Sequence, residues 1–498
     1  MSETPNQRPA ASGRTAAKGM AWTALALLVA KALSFVSQIA LGYLLAVETY
    51  AVFAMLGSAL IFVNGFQNSG VGKVLIAKQD QYDELLPSHS AFALWLGLIG
   101  MALFVVVGFV FQQFYEIRPL FWMIALAAFS LPLSAISTIY IAALSIDLRF
   151  RDLSLVEVQR SFFYYVVLVG AAALGAGGYT MAAAMSLGAA FFVLMLIRKT
   201  PQTKVSWRIA PRTFLRMLVE LRWVLGSGFL LALGMKGDYL ALGDILTPEE
   251  LGYYYFGFVI LVNLTTMISV GVNQTLMPLF AQLKADMPQL RRQYLRIGGA
   301  TTMLMSLLSL SVIGFAPVMI HLVWGGKWDP SILVIVAIAV ALPIRLTSNL
   351  AGVVFESQGA WGWRLLVLLW DAGFVVICAL IGVYFGGMNG AAIAVACQRA
   401  MSGMLAFPLA ARLIGLSVTR VAGFFIRCFG SYLVIVAVLI MIDPWRHVIS
   451  GESTLILRPL LETGAAVLAF LGAQWLINRE LVTAMIGLIR NRRKRKPA

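Results

Sequence analysis

Apolar stretches of about 20 residues recur along the whole chain, separated by short polar connections. Runs long enough to cross a bilayer fall at 20–45, 50–72, 90–112, 119–146, 161–176, 178–197, 223–243, 251–277, 297–320, 331–352, 365–385, 388–410, 421–442 and 459–478. The fifth is short. The pattern predicts an all-α polytopic membrane protein with about 14 transmembrane helices. A polar arm of about 19 residues precedes the first run, which shows no small-residue cleavage site and is read as a retained helix.

Composition closes off the other broad classes. Of 498 residues, 60% are hydrophobic and 12% charged, against about 45–50% and 25% in soluble domains. The 30 Phe, 15 Tyr and 12 Trp are too much apolar surface for a disordered chain. With the spans drawn, no length remains for a soluble catalytic domain. Cys378, Cys397 and Cys428 lie in apolar stretches without motif spacing and read as small hydrophobes. His89, His321 and His447 are scattered, which argues against a metal centre; no cofactor is expected.

A net charge of +16 raises the question of nucleic acid, and the span map answers it. With the N-terminus in the cytoplasm, thirty Lys and Arg fall on the cytoplasmic side, Arg427 at the end of its run included. Four (Arg118, Lys327, Arg446, Arg458) fall outside, and four lie within spans. That asymmetry is a topology signal, so the charge does not imply nucleic acid, and both termini are expected in the cytoplasm. The longest loop, 198–222, holds seven of these cations, and its part from Pro211 to Arg222 reads as an amphipathic helix at an anionic leaflet.

Sliding the sequence by 201 residues superposes Leu41-Gly42 on Leu242-Gly243, Glu48 on Glu249, Gly70-Val71 on Gly271-Val272 and Leu75 on Leu276. One constant offset across two spans and their loop implies two six-helix lobes related by a parallel repeat. The domains expected are a cytoplasmic arm 1–19, an N-terminal lobe 20–197, a basic inter-lobe loop 198–222, a C-terminal lobe 223–410, an appended helix pair 411–478 and a basic tail 479–498.

Charges at bilayer depth cost at least about 2.5–3.5 kcal/mol on insertion scales, so they face protein or water. Lys31, Ser34 and Gln38 share one face of the first span. Asn64 and Asn68 share a face of the second. The seventh span holds Lys236 and Asp238, the eighth Asn263, and Arg399 lies near the centre of the twelfth. Lys31 and Lys236 read as cations of a cavity between lobes, the amides as ligands or as interhelical glue. Asp238 reads as a cation-coupling site or the partner of a basic residue elsewhere. Arg345 and Asp371 read as a structural ion pair.

Several segments resemble the polysaccharide transporter family, the Wzx-type flippases of lipid-linked oligosaccharides, in the superfamily that includes multidrug exporters. Asp238 through Tyr253, with Gly243 and Gly252, is similar to that family's pattern across spans 7 and 8. Ala143–Arg151 before it, and Pro278–Tyr294, the turn Gly326-Lys327-Trp328 and Gln358-Gly359 after it, are similar to that family's segments in the same order. The resemblance implies a flippase, not an enzyme, moving an undecaprenyl-diphosphate-linked oligosaccharide repeat unit across a bacterial inner membrane by alternating access. The polymers it implies are exopolysaccharide, capsule or O-antigen. On that reading Lys31 and Lys236, with Arg399 as a further candidate, meet the diphosphate. Gln38, Asn64, Asn68 and Asn263 meet sugar, Asp238 binds a coupling ion, and polysaccharide polymerase and export machinery are the expected protein partners.

Two rivals are weighed against it. A multidrug exporter of the same fold handling organic cations needs a negative cavity, whereas the intramembrane charges are mostly basic. A membrane-embedded polymerase or glycosyltransferase needs a sizeable external loop, and the longest external segment, about 443–458, is short. No Walker motif is present.

Overall fold

The computed structural model describes residues 13–67, 71–114, 120–261, 276, 279–280, 283–442 and 457–483. The described chain is helical: α1 (Gly13–Leu44), α2 (Val47–Gln67), α3 (Val71–Ala77), α4 (Tyr82–Phe114), α5 (Leu120–Ala128), α6 (Ser130–Ile146), α7 (Phe150–Ala173), α8 (Tyr179–Lys199) and α9 (Pro211–Leu242). There follow α10 (248–261), α11 (Met287–Trp324), α12 (Ile332–Ser357), α13 (Trp361–Leu413), α14 (Val418–Ile442) and α15 (Leu457–Ile477). Ten segments among the described residues are long and apolar enough to span a membrane. The apolar runs overlap described helices, the second as α2 as far as residue 67, the fourth as the pair α5 and α6, and the eighth as far as residue 261.

Local chemistry sets the ends of these helices. Thr247 caps α10: its backbone N–H donates to Glu250 Oε2 at 3.0 Å, and the Glu250 N–H donates back to Thr247 Oγ1 at 3.3 Å. With Pro248 at the first helical position this is a capping box. The α2 start at Val47 and the α10 start at 248 are 201 residues apart, the offset of the sequence repeat. Asp286 caps α11 through the Gln289 N–H at 3.0 Å, and Gly325 ends it at φ +61°. The turn beyond α11 is pinned by Trp328, which is fully buried and stacked on Phe256 at 3.9 Å.

Two runs read apart, 365–385 and 388–410, meet as one element, α13, broken at Gly386-Gly387, where Gly387 takes φ +56°. The break folds a tight hairpin: a Cβ on Gly390 would lie 2.2 Å from the Gly382 carbonyl oxygen. The fifth run needs correction. Expected over 161–176, its helix α7 begins at Phe150, because Asp152, Glu157 and Arg160 lower the hydropathy without breaking the helix. Their charges are absorbed locally, Arg160 pairing with Glu157 and Lys199 bridging to Asp152 at 3.0 Å.

The chain divides into two compact units, Met1–Tyr255 and Phe256–Ala498. In the first, α9 packs along α2 and α1 packs along α7. Gly252, on α10, is seated so closely that a Cβ would fall 2.1 Å from the Val47 carbonyl oxygen, and a side chain there forces α2 and α10 apart. In the second unit, α12 lies against both halves of α13, and α11 against α15. Tyr432 of α14 ties this unit together, donating to the Val340 carbonyl at 3.0 Å beside the Ser309 hydroxyl at 2.7 Å.

Candidate functional site

In the first unit a lysine is held among tyrosines. The α9 helix carries Lys236, Asp238 and Tyr239 near its end, and α10 returns Tyr254 and Tyr255 beside them. Lys236 is half-buried, its Nζ 4.4 Å from the Tyr239 ring centre and 5.3 Å from that of Tyr255. Cation–π contacts of this kind contribute about 0.5–2 kcal/mol. They steady an ammonium over the ring faces at span depth.

Asp238 faces elsewhere, as two residues of helix spacing require. It is fully buried and accepts a hydrogen bond from the Tyr254 hydroxyl to Oδ2 at 3.0 Å. Tyr239 stands between the two arrangements, edge-on to Tyr254 at 5.6 Å and to Tyr255 at 5.4 Å. Tyr50 of α2 extends the cluster, 6.4 Å from Tyr255. On α7, Tyr164 lies within electrostatic reach of both Tyr255 and Arg160. Arg160 packs its guanidinium 5.1 Å from the Phe192 ring while pairing with Glu157.

On α1, Lys31 is half-buried, and Ser34, one turn on, is buried. Tyr165 of α7 lies within interaction range of Ser34, and α1 packs along α7, so the face read from the sequence is turned to α7. Gln38 is half-buried on the same face, and its Nε2 has no hydrogen-bond partner among the described residues. Asn64 lies in α2, with a side chain outside the described residues; Asn68 and Asn263 lie outside them altogether.

In the second unit, Arg345 of α12 and Asp371 of α13 form a two-pronged ion pair, Nη2–Oδ2 at 2.7 Å and Nη1–Oδ1 at 3.1 Å. Ser402 accepts from Arg345 Nη1 at 2.7 Å, and Gln398 Nε2 donates to Asp371 Oδ1 at 2.9 Å. Arg399, buried, lays its guanidinium 4.8 Å from the Phe258 ring centre. Gln398 and Ser402 escaped notice in the sequence, although their four-residue spacing puts them on one helix face with the ion pair as neighbour. The tyrosines escaped too, since an aromatic stripe at helical spacing is ordinary core. Arg160 was counted as a loop cation because it lay just outside the fifth run.

The architecture is shared with known membrane transporters. The lipid II flippase MurJ, in an inward closed conformation, superposes with a TM-score of 0.72, at 12% identity over 92% of this chain and 99% of that one. A MOP superfamily transporter from Pyrococcus furiosus gives 0.59 at 14% identity, covering 80% of this chain and 95% of that one. The Vibrio cholerae MATE transporter VcmN gives 0.53 at 15%, covering 80% and 96%. At these identities the likeness establishes the fold. In sequence, the teichuronic acid biosynthesis protein TuaB of Bacillus subtilis (strain 168) is 20% identical over 375 residues, 73% of this chain and 74% of TuaB. Residues 40–333, more than half of the chain, match the family described as polysaccharide biosynthesis protein. The chain is an all-α, multi-pass membrane protein of the MurJ and MATE fold, and it belongs to that polysaccharide biosynthesis family.

Proposed function

We propose that this protein is a flippase that carries an undecaprenyl-diphosphate-linked oligosaccharide repeat unit across the bacterial cytoplasmic membrane by alternating access. The polymer is an exopolysaccharide, a capsule or an O-antigen. The observation that carries the reading is Lys236, an ammonium at span depth resting on Tyr239 and Tyr255 in a family of polysaccharide biosynthesis proteins. A diphosphate does not enter hydrocarbon bare. It needs cations that are oriented and still able to donate, and tyrosine faces provide that orientation.

On this proposal Lys236 and Lys31 receive the diphosphate, with Arg399 as a further candidate. Gln38, whose Nε2 is buried without a partner among the described residues, contacts sugar together with Asn64, Asn68 and Asn263. Asp238, held by Tyr254, takes a proton or sodium ion. Arg345 and Asp371 are structural. Two six-helix lobes, 20–197 and 223–410, move the site between leaflets. Both termini are cytoplasmic, and the polymerase and export machinery receive the product. The chain performs no catalysis of its own.

TuaB, by its name a teichuronic acid biosynthesis protein, and MurJ, by its name a lipid II flippase, support the substrate class. The test is deletion of the gene followed by analysis of polyprenyl-linked intermediates. The expected result is accumulation of complete repeat units on the cytoplasmic face. Units accumulating on the outer face instead point to a polymerase.

A further inference from the structure

Apart from the lysine and tyrosine cluster, a cavity opens where the segment between α8 and α9 crosses α4. It holds about 760 Å³, inside the range of about 300–1,000 Å³ usual for small-molecule sites. Its walls are Trp95 and Ile99 of α4, Trp207 of the connecting segment, and Pro211, Phe214 and Leu215 of α9, with Arg208 at the rim. The walls are built into the fold. Trp95 Nε1 donates to the Trp207 carbonyl at 3.0 Å, the Ser206 N–H donates to Ser90 Oγ at 3.0 Å, and Phe214 packs on Phe92 at 4.9 Å.

Three features identify the occupant. First, the apolar surface continues: Ile99, Leu103, Val106 and Val110 form an exposed stripe along α4, spaced by three and four residues, which runs away from the cavity into the hydrocarbon. Second, Trp95 and Trp207 are both exposed, the arrangement of residues at a headgroup boundary. Third, Arg208 lines the cavity and the segment that carries it is basic: Lys204, Arg212, Arg216 and Arg222 are exposed as well, with Glu220 the sole acid between 198 and 222. An acyl chain suits the wall, and a phosphate suits the rim. Of the wall residues only Arg208 carries a polar side chain apart from the tryptophan indoles, so a sugar would find few partners.

We propose that this groove binds one anionic glycerophospholipid, its phosphate at Arg208 and Arg212 and an acyl chain along Trp95, Ile99 and Leu215. The lipid then anchors the entry of α9, the helix that carries Lys236, to α4 and to the membrane surface.

The test is native mass spectrometry of the purified full chain, released from mixed micelles containing phosphatidylglycerol and phosphatidylethanolamine of identical acyl chains. The wild type is expected to retain one phosphatidylglycerol per chain at five-fold or greater preference. The variant Arg208→Gln/Arg212→Gln is expected to bring that preference to parity. Ile99→Trp, which fills the groove, is expected to lower retention of both lipids at least three-fold; Trp207→Ala opens one wall and serves the same purpose if the filled variant does not fold. Lys31→Ala/Lys236→Ala is expected to retain phosphatidylglycerol as the wild type does, separating this site from the transport site. Equal retention of the two lipids by the wild type overturns the proposal, as does unchanged preference in the arginine variant. Displacement of phosphatidylglycerol by undecaprenyl phosphate at equal concentration also overturns it, since the groove would then be a substrate site.

Discussion

The two units each hold a cation and a carboxylate within apolar helices, and they treat them in opposite ways. In the second unit Arg345 and Asp371 are locked face to face, with Ser402 and Gln398 completing their hydrogen bonds. Between them the two side chains leave little chemistry unused. In the first unit Lys236 and Asp238 are near neighbours in sequence but on different faces. One rests on tyrosine rings and the other on a tyrosine hydroxyl. A planar guanidinium matched to a carboxylate is a rigid joint; an ammonium on aromatic faces is a point charge held loosely enough to be shared. The contrast separates a pair joined directly from two charges that are each held by aromatic neighbours.

The largest effect is expected at the rigid joint. Asp371→Ala strands the half-buried Arg345 guanidinium, and removing one partner of a buried pair costs about 3–5 kcal/mol. The expected outcome is poor accumulation in the membrane and a thermal-unfolding midpoint lowered by several degrees in detergent. Replacing both partners, Arg345→Met with Asp371→Leu, is expected to recover most of that stability. A double variant as unstable as the single one would mean that the ion pair itself, not the stranded charge, is what the fold needs.

At the loosely held lysine the effect moves from stability to transport. Lys31→Ala/Lys236→Ala is expected to reach normal protein levels while polymer export falls at least ten-fold. Each hydrogen bond to a charged group is worth about 1.5–3 kcal/mol. Lys236→Arg is expected to retain part of the activity, because the charge persists although its shape changes. Unchanged export at normal levels in the double alanine variant would remove the lysines from the site.

Asp238→Asn sharpens the comparison further. It preserves the acceptor for Tyr254 and abolishes the charge, so accumulation in the membrane is expected to stay within two-fold of the wild type. Substrate movement driven by an imposed proton or sodium gradient in proteoliposomes is expected to drop several-fold. If the gradient response survives, Asp238 is a structural carboxylate like Asp371.

The same comparison explains what was readable from the chain. The helix map was, because bilayer spans are set by runs of local hydropathy, and the gap between runs 365–385 and 388–410 falls at the Gly386-Gly387 break. The α7 start at Phe150 was not: Glu157 and Arg160 cancel each other across one helical turn, and a window of hydropathy counts both as polar. Lys31 and Lys236 stood out as charges in spans. What holds Lys236 did not, because Tyr239 and Tyr255 reach it only when α10 folds back on α9. Likewise Arg399 stood out as a charge within a span, but the contact of its guanidinium with Phe258 is one that no spacing rule supplies.

The smallest expected effect tests that aromatic support directly. Tyr239→Phe keeps the ring beneath Lys236 and removes only a hydroxyl, so export is expected to stay within two-fold of the wild type. Tyr239→Leu keeps an apolar volume and removes the π face. A loss of about 0.5–1 kcal/mol of cation–π attraction corresponds to a roughly two- to five-fold fall in export at unchanged protein level. Because both variants fill similar space in the same helix, a difference between them reports the ring's electrostatics and not its packing. If leucine and phenylalanine behave alike, the tyrosines only fill the gap between α2, α9 and α10, and Lys236 must be oriented by something else.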